Sequence, residues 1–254
     1  MVDGKTIKVK GKRNCLVIGI DYTADIPLTE YEIGAENKTQ YVRFFKNLKE
    51  LNYPLRGLVS DGREDIHSAA KQVYSSFHHQ LCLKHFLKSI DRTFGYLTVK
   101  RSRLEKEFKL ELELRSNLYE LIYTKDYYQF LNKYHLIKSE RRYFKSEYCS
   151  KMWFKLQNNI HSIIAHYFDH RLCLTNNSAE NIIKQLNRRL KLIEGFQSSI
   201  TAESYLRLLV MYLRFKPYTD ARNIHKYRNG KSRLELSRVR TKDLDWLKFS
   251  QKSK

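Results

Sequence analysis

Three acidic residues, Asp3, Asp61 and Glu180, stand in sequence contexts that make them candidates for metal chemistry. Asp3 lies in a β-rich segment and Asp61 ends the apolar run GLVS, although Asp is depleted in strands. Glu180 is the one carboxylate in the first turn of a basic helix, TNNSAENIIKQLNRRLK. Carboxylate oxygens are hard ligands that suit Mg²⁺ or Mn²⁺, and two such ions can assist phosphodiester cleavage.

Each of the three carboxylates also has an ordinary structural explanation. The positive end of the helix dipole would stabilise Glu180, which could also pair with Lys184 four residues on. Asp61 precedes a glycine, and Asp-Gly is a common turn pair. Asp3 could belong to a disordered terminus. A metal site therefore depends on whether the fold brings the three residues together.

The first 94 residues alternate the patterns of strands and helices. The apolar spacing predicts three antiparallel strands, at 1–10, 15–23 and 26–33, with a turn at 11–14. It then predicts a helix at 37–52, a fourth strand at 56–62 and a second helix at 64–74. The segment 78–94 begins as a strand or loop and becomes a helix. If strands one and four lie side by side, Asp3, Asp61 and the helix of Glu180 meet at one end of the sheet.

The remainder of the chain is predicted to be mainly helical. A charged amphipathic rhythm without a strand signal indicates a helical insertion at 95–172. The Glu180 helix, with Asn177 or Ser178 as its cap, and a helix at 202–215 follow. The expected organisation is α/β, an RNase H-like core of mixed sheet and flanking helices, interrupted by the insertion. It divides into core at 1–94, insertion at 95–172, the remaining core at 173–215 and a basic tail at 216–254.

Positive charge is the strongest signal in the composition. The chain has 48 Lys and Arg against 27 Asp and Glu, a net charge of +21, and residues 181–254 alone have 18 against 6, a net of +12. Such an excess predicts a polyanionic partner such as DNA. On the Glu180 helix, Lys184, Arg188 and Lys191 form a basic stripe that would contact phosphates. The alternative is a solvated helix face.

The four cysteines predict no disulfide framework. They are scattered, form no CxxC pair, and lie in a chain of 254 residues, so a reducing, cytoplasmic compartment is expected. Cys82 and His85 form a CxxH pair, which would be half of a zinc site. Its other ligands would come from His78, His79, His170 or Cys173, at awkward spacing, so a buried Cys with a hydrogen-bonded His is the simpler explanation.

No membrane segment or leader is expected. The N-terminal MVDGKTIKVKGKR lacks the apolar region of a signal peptide, and the chain has no run of 18 apolar residues.

Four segments together resemble the catalytic domain of DDE transposases. They are VDGKTIKV, LVSDG, HQLCLKHF and TNNSAENIIKQLNRRLK, and they are most similar to the Mutator-like group and the related bacterial and archaeal insertion-sequence transposases. The resemblance covers residues 1–215. It implies an RNase H-like core with a helical insertion between the second Asp and the Glu. The spacings of 58 residues from Asp3 to Asp61, and of 119 from Asp61 to Glu180, agree with that arrangement.

The resemblance also implies roles for individual residues. Asp3, Asp61 and Glu180 would be the catalytic triad that binds two Mg²⁺ or Mn²⁺ ions. Asp21 is a rival first ligand, ranked lower because the family's second strand carries no catalytic residue, and Asp65 is expected to be an exposed helix residue. Cys82 and His85 would lie near the active site. Trp153 would stack on a base or a flipped nucleotide; the alternative is that Trp153 belongs to the core.

The expected function is metal-dependent DNA cleavage and strand transfer of an insertion element. Its partners would be DNA, at the element ends and the target, and further copies of the chain in a homo-oligomer, with a nucleoid-associated, cytoplasmic location. Family members carry an N-terminal DNA-binding segment before the first Asp, whereas only Met1 and Val2 precede it here. That segment would be on a separate polypeptide, or the chain is a truncated copy or a fragment. The alternative function is a non-catalytic DNA-binding remnant or regulator, and an unrelated RNase H-like nuclease is disfavoured by the insertion.

Overall fold

The chain forms two compact units. The computed structural model describes 1–22, 26–32, 34–193, 195–238, 245 and 247–248. The first unit comprises Met1–Pro54, Glu64–Ser75 and Asn176–Lys254, and the second comprises Leu55–Arg63 and Ser76–Thr175. Each unit is therefore built from separated stretches of the chain.

The first unit contains a three-stranded antiparallel sheet, as the sequence predicts. Strands β1 (Val2–Val9), β2 (Lys12–Asp21) and β3 (Ile26–Glu32) pair in the order β1-β2-β3. Lys10 and Gly11 connect the first two strands, with φ angles of 48° and 73°. Positive φ at both positions fits the two-residue hairpin turn that matches strand twist. The turn therefore lies at 10–11, earlier than the predicted 11–14, and β2 begins at Lys12.

Helices cover both faces of this sheet because its central strand is apolar on both sides. Helix α1 (Lys38–Glu50) covers one face, where a Cβ on Gly19 would lie 2.6 Å from Phe44 Cζ, and α1 in turn packs on α2 (Glu64–Val73). The other face packs against two helices from the C-terminal part of the chain, which we call α8 (Asn177–Leu190) and α9 (Ser199–Phe215). Their shared core contains Ile7, Leu16, Ile18, Ile20, Ile182, Leu186 and Leu206.

The second unit combines a small parallel sheet with helices. Strand β4 (Gly57–Ser60) pairs in parallel with β5 (His78–Leu81), and α3 (Leu83–Thr93) follows. In the segment 95–172, predicted as an insertion, the regular elements are all helices. Its elements are α4 (Arg101–Glu107), α5 (Lys109–Ile122), α6 (Tyr127–Ser139), a 3₁₀ turn (Arg141–Lys145) and α7 (Glu147–Phe168).

The described strands form two separate sheets instead of the single mixed sheet that we expected. Strand β4 has only four residues, all of which pair with β5, and it has no second partner among the described strands. Part of the far edge of β1 is bridged by Phe196, whose N–H donates to Lys8 O at 3.2 Å and whose carbonyl accepts from Lys10 N at 2.8 Å. The fold class is α/β, and the described sheets are small.

The start of α8 differs from the prediction by one residue. We expected Asn177 or Ser178 to cap this helix, and that prediction was wrong because both residues already belong to its first turn. The N-cap is Asn176, which is fully buried and makes no capping bond through its side chain. Its carbonyl accepts the backbone N–H of Glu180 at 3.1 Å.

Residues 216–238 of the predicted basic tail are folded. Tyr218 N–H donates to Lys231 O at 3.0 Å, and Gly230 N–H donates to Tyr218 O at 2.9 Å. Between them lies a 3₁₀ turn (Asn223–Arg228), and the short helix α10 (Arg233–Leu236) follows with a capping box between Ser232 and Glu235. These backbone bonds hold the segment after α9 in a closed loop.

Candidate nucleic-acid interface and carboxylate residues

Asp3 and Glu180 belong to the same unit and to the same side of its sheet. Side chains alternate along a strand, so Asp3 shares the face of Ile7, which packs against α8. The strand register supports this placement, because Asp3 pairs with Ile18, which belongs to the same hydrophobic core as Ile7. Glu180 follows the buried Ala179 in the first turn of α8 and is half-buried, with its Oε1 atom inaccessible to solvent.

Glu180 and Lys191 lie at opposite ends of α8. Residues Lys5–Lys8 of β1 and the end of α8 line a common cavity of about 290 Å³, to which Lys191 contributes. Glu180 lies 11 residues earlier on α8 and therefore about 16 Å from that end at the helical rise. Lys191 thus faces a separate cavity at the opposite end of α8 from Glu180.

Asp61 belongs to the second unit, where it directly follows β4. It is half-buried, and its Oδ1 accepts the backbone N–H of Arg63 at 3.2 Å around Gly62, whose φ is 88°. This is the geometry of an Asx turn. In the described part of the chain, no three His, Cys, Asp or Glu side chains are gathered as a metal site would need.

The rival ligand Asp21 already has a protein partner. Its Oδ2 accepts the Tyr53 hydroxyl at 2.7 Å. Burial, and then the hydrogen bond and negative charge of Asp21, raise the pKa of Tyr53 above its ordinary range. The tyrosine therefore stays protonated and remains a donor to the carboxylate. This contact gives Asp21 a structural role at the end of β2.

Cys82 and His85 lie together at the start of α3. Cys82 is fully buried, and its Sγ is 3.2 Å from Nδ1 of the half-buried His85. His79 lies between two hydroxyls, with Nε2 2.9 Å from Ser60 Oγ and Nδ1 3.1 Å from Ser162 Oγ. The cysteine and histidine therefore have the geometry of a buried thiol beside a hydrogen-bonded imidazole.

Trp153 occupies the core of the second unit, which was the alternative to base stacking. Its side chain is 5% exposed and stacks on Tyr134, with 5.0 Å between ring centroids, while Phe144 meets it edge-on. Met152 and Leu156, on either side in sequence, are fully buried. In this position the indole has no free face for a base.

A basic cavity lies between α8 and the closed loop that follows α9. It has a volume of about 590 Å³, and we call it the basic groove. Helix α8 contributes Lys184 and Arg188, both exposed. The loop contributes one carboxylate, Asp220, and cations at Lys216, Arg222, Arg228 and Arg233. The groove therefore has the charge of a phosphate-binding surface.

Two of the three predicted basic-stripe residues line this groove, and the loop residues were not foreseen. The density of Lys and Arg after residue 216 is visible in the sequence, but it reads as an open tail. Hydrogen bonds that close the loop bring those cations to α8: Ala221 N–H donates to Asn229 Oδ1 at 2.8 Å, and Asn229 Nδ2 donates to Ala221 O at 3.1 Å. No sequence periodicity signals them.

No protein family matches the sequence, and no curated protein is similar to it. None of the helices in the described part of the chain is both long enough and apolar enough to cross a lipid bilayer.

Proposed function

We propose that this chain is a DDE-type transposase that cleaves and joins DNA with the help of Mg²⁺ or Mn²⁺. The observation that carries the proposal is the composition of α8. This helix presents Glu180 in its first turn, on the side of the sheet that carries Asp3, and it lines a basic groove with Lys184 and Arg188 one and two turns later. One carboxylate for metal ions and two cations for phosphates therefore share this helix.

The chain order supports the same proposal. The order is three antiparallel strands, α1, β4 followed by Asp61, α2, β5 and α3, then further helices and α8. It matches an RNase H-like core with an insertion before its last acidic residue. We propose this core as the fold, and Asp3, Asp61 and Glu180 as the metal ligands. The donor chemistry fits, since all three supply carboxylate oxygens.

Each group has a defined task in this proposal. Lys184 and Arg188 hold the phosphate backbone beside Glu180. The three carboxylates carry the negative charge that attracts divalent cations, which when bound activate a water or a 3′-hydroxyl and stabilise the leaving oxygen. Cys82 and His85 support the start of α3 and stay outside the reacting groups.

Calorimetry with Mn²⁺ tests the metal site directly. The wild-type chain is expected to bind Mn²⁺, and Asp61→Asn is expected to lose that binding because an amide is a neutral and weaker ligand than a carboxylate. Asp65→Asn, which makes the same chemical change one helical turn further on, is the matched control and should bind as the wild type does. Equal heats from the wild type and Asp61→Asn would sink the triad.

A second candidate, a DNA-binding protein without catalysis, is favoured by the basic groove alone. Its cations need no metal ion to attract phosphates, and its walls include a single carboxylate, Asp220, among the described residues. Nicking of supercoiled plasmid separates the two candidates. The transposase should nick in Mn²⁺ and not in EDTA, whereas a binding protein should retard the plasmid equally in both and cut it in neither.

A further inference from the structure

Arg233 is a buried cation that forms no ion pair with any residue that the structure describes. Its side chain lines the basic groove at the base of α10 and is only 6% exposed. Nη1 donates to the backbone carbonyl of Leu213 at 2.6 Å, and the guanidinium lies over the Tyr218 ring, 4.8 Å from the centroid. The Nε–H is buried without a hydrogen-bond acceptor, and Arg233 forms no ion pair within the described residues.

This burial is unfavourable unless an anion completes the site. Removing a guanidinium from water is costly, and hydrogen bonds or a paired charge must offset the lost hydration. A carbonyl and an aromatic ring satisfy part of the group, since the ring face attracts cations. The exposed cations Lys184, Arg188, Lys216 and Arg222 raise the local positive potential further and form no ion pair in the described part of the chain.

We propose that Arg233 is the anchor of a phosphate site in the basic groove and that it binds a phosphodiester group of DNA. With Nη1 held by the Leu213 carbonyl, Nε and Nη2 remain as a planar pair of donors that matches two phosphate oxygens, a geometry that a lysine ammonium lacks. Tyr218 and the Leu213 carbonyl hold the fork in place before DNA arrives. The closed loop after α9 thereby extends the DNA contact of α8 beyond Lys184 and Arg188. This inference rests on the proposed function only in taking DNA as the ligand.

DNA binding in EDTA tests the anchor without any metal step. The full chain is titrated into a fluorescein-labelled duplex at several NaCl concentrations, and affinity is read from fluorescence anisotropy. We expect Arg233→Gln to weaken binding about tenfold and to lower the salt slope by about one, the effect of one lost phosphate contact. Arg233→Lys should restore the slope but not the full affinity, because the ammonium keeps the charge and loses the fork.

Two further variants keep the result interpretable if Arg233 substitutions disturb the loop. Arg188→Gln changes an exposed groove residue and should also lower the slope by about one. Arg141→Gln makes the same change at an exposed position of the second unit and should bind as the wild type does. Weakened binding by Arg188→Gln with wild-type binding by folded Arg233→Gln would refute the anchor and leave the proposed function standing. Absence of DNA binding by the wild type in EDTA would also refute the anchor. The metal site is tested independently by the Mn²⁺ calorimetry.

Inorganic phosphate distinguishes the two sources of the anion. If the site is built for a phosphodiester within DNA, sodium phosphate should displace the duplex only as strongly as NaCl of equal ionic strength does. Displacement of the duplex by phosphate far below that ionic strength, lost in Arg233→Gln, would show a free-phosphate site and overturn the assignment to DNA.

Discussion

Trp153 and Arg233 are buried to nearly the same extent, but burial has opposite consequences for the two side chains. Trp153 is 5% exposed among Tyr134, Phe144 and its apolar neighbours, where its transfer from water is favourable. Arg233 is 6% exposed in a groove of other cations, where its charge is costly. Of these two side chains, Arg233 is the one that we propose as a nucleic-acid contact.

Truncation of Trp153 should therefore affect stability and leave DNA binding unchanged. Trp153→Ala is expected to lower the free energy of unfolding by about 3–5 kcal/mol, since it removes a large side chain from a packed core. Urea denaturation followed by circular dichroism measures this loss. The DNA affinity of the folded fraction, measured by anisotropy, should equal that of the wild type.

An exposed aromatic in the same unit provides the control. Tyr128 on α6 is 79% exposed, and Tyr128→Ala should change the free energy of unfolding by less than about 0.5 kcal/mol. A Trp153→Ala protein that is as stable as Tyr128→Ala but binds DNA more weakly would restore the base-stacking hypothesis.

At the scale of elements, local periodicity predicts where helices lie but does not predict which strands pair. The apolar spacing in 37–52, 64–74 and 202–215 locates helices within three residues of their observed bounds, because each buries one face. The lack of a second partner for β4 among the described strands was not predictable, because a four-residue apolar run predicts a strand but not its neighbours. The loop after α9 escaped prediction because Asn229 and Tyr218 close it through contacts between residues that are distant in sequence.

The candidate site was predictable to a similar degree. Strand alternation alone places Asp3 on the same sheet face as Ile7. The helical spacing of Ala179, Ile182 and Leu186 puts these three residues on one side of α8, which packs against that face. The division of the chain into units, which assigns Asp61 to the second, depends on contacts that no local pattern encodes. The burial of Arg233 likewise depends on tertiary contacts that no local sequence pattern encodes.

The caps of α1 and α8 give a paired test of these helix starts. Asn37 caps α1, where its side chain accepts the Thr39 N–H at 2.9 Å and its own N–H donates to Gln40 at 2.8 Å. Asn37→Ala should lower the free energy of unfolding by about 1 kcal/mol. Asn177→Ala should change it by less than about 0.5 kcal/mol, because Asn177 is an exposed first-turn residue and not the cap.

Urea denaturation of the two variants side by side measures the difference. Equal losses from Asn37→Ala and Asn177→Ala would mean that Asn177 caps α8 after all, as its sequence context suggests.

For the whole molecule, the net charge of +21 predicts that salt stabilises the fold while it weakens DNA binding. Self-repulsion opposes the compact state, and screening reduces that repulsion. Between about 0.05 and 0.5 M NaCl the melting temperature should rise by several degrees, measured by scanning fluorimetry, while the affinity for the labelled duplex falls.

A charge-reduced protein tests the cause of the salt effect. Lys46→Gln combined with Lys138→Gln removes two exposed charges, one from each unit. This variant should melt at a higher temperature in low salt and respond less to added NaCl. An unchanged salt response would point to a specific ion site instead of general repulsion.

The discontinuous make-up of the first unit sets an order for events on the ribosome. The sheet is synthesised first, but α8 and α9, which cover the face of Ile7, Leu16 and Ile18, come from the last third of the chain. At about 5–20 residues per second, that apolar face waits on the order of ten seconds for its cover, while the second unit emerges complete. The nascent chain is therefore an expected client of chaperones that shield strands, and a circular permutant that joins α9 directly to β1 would shorten the wait.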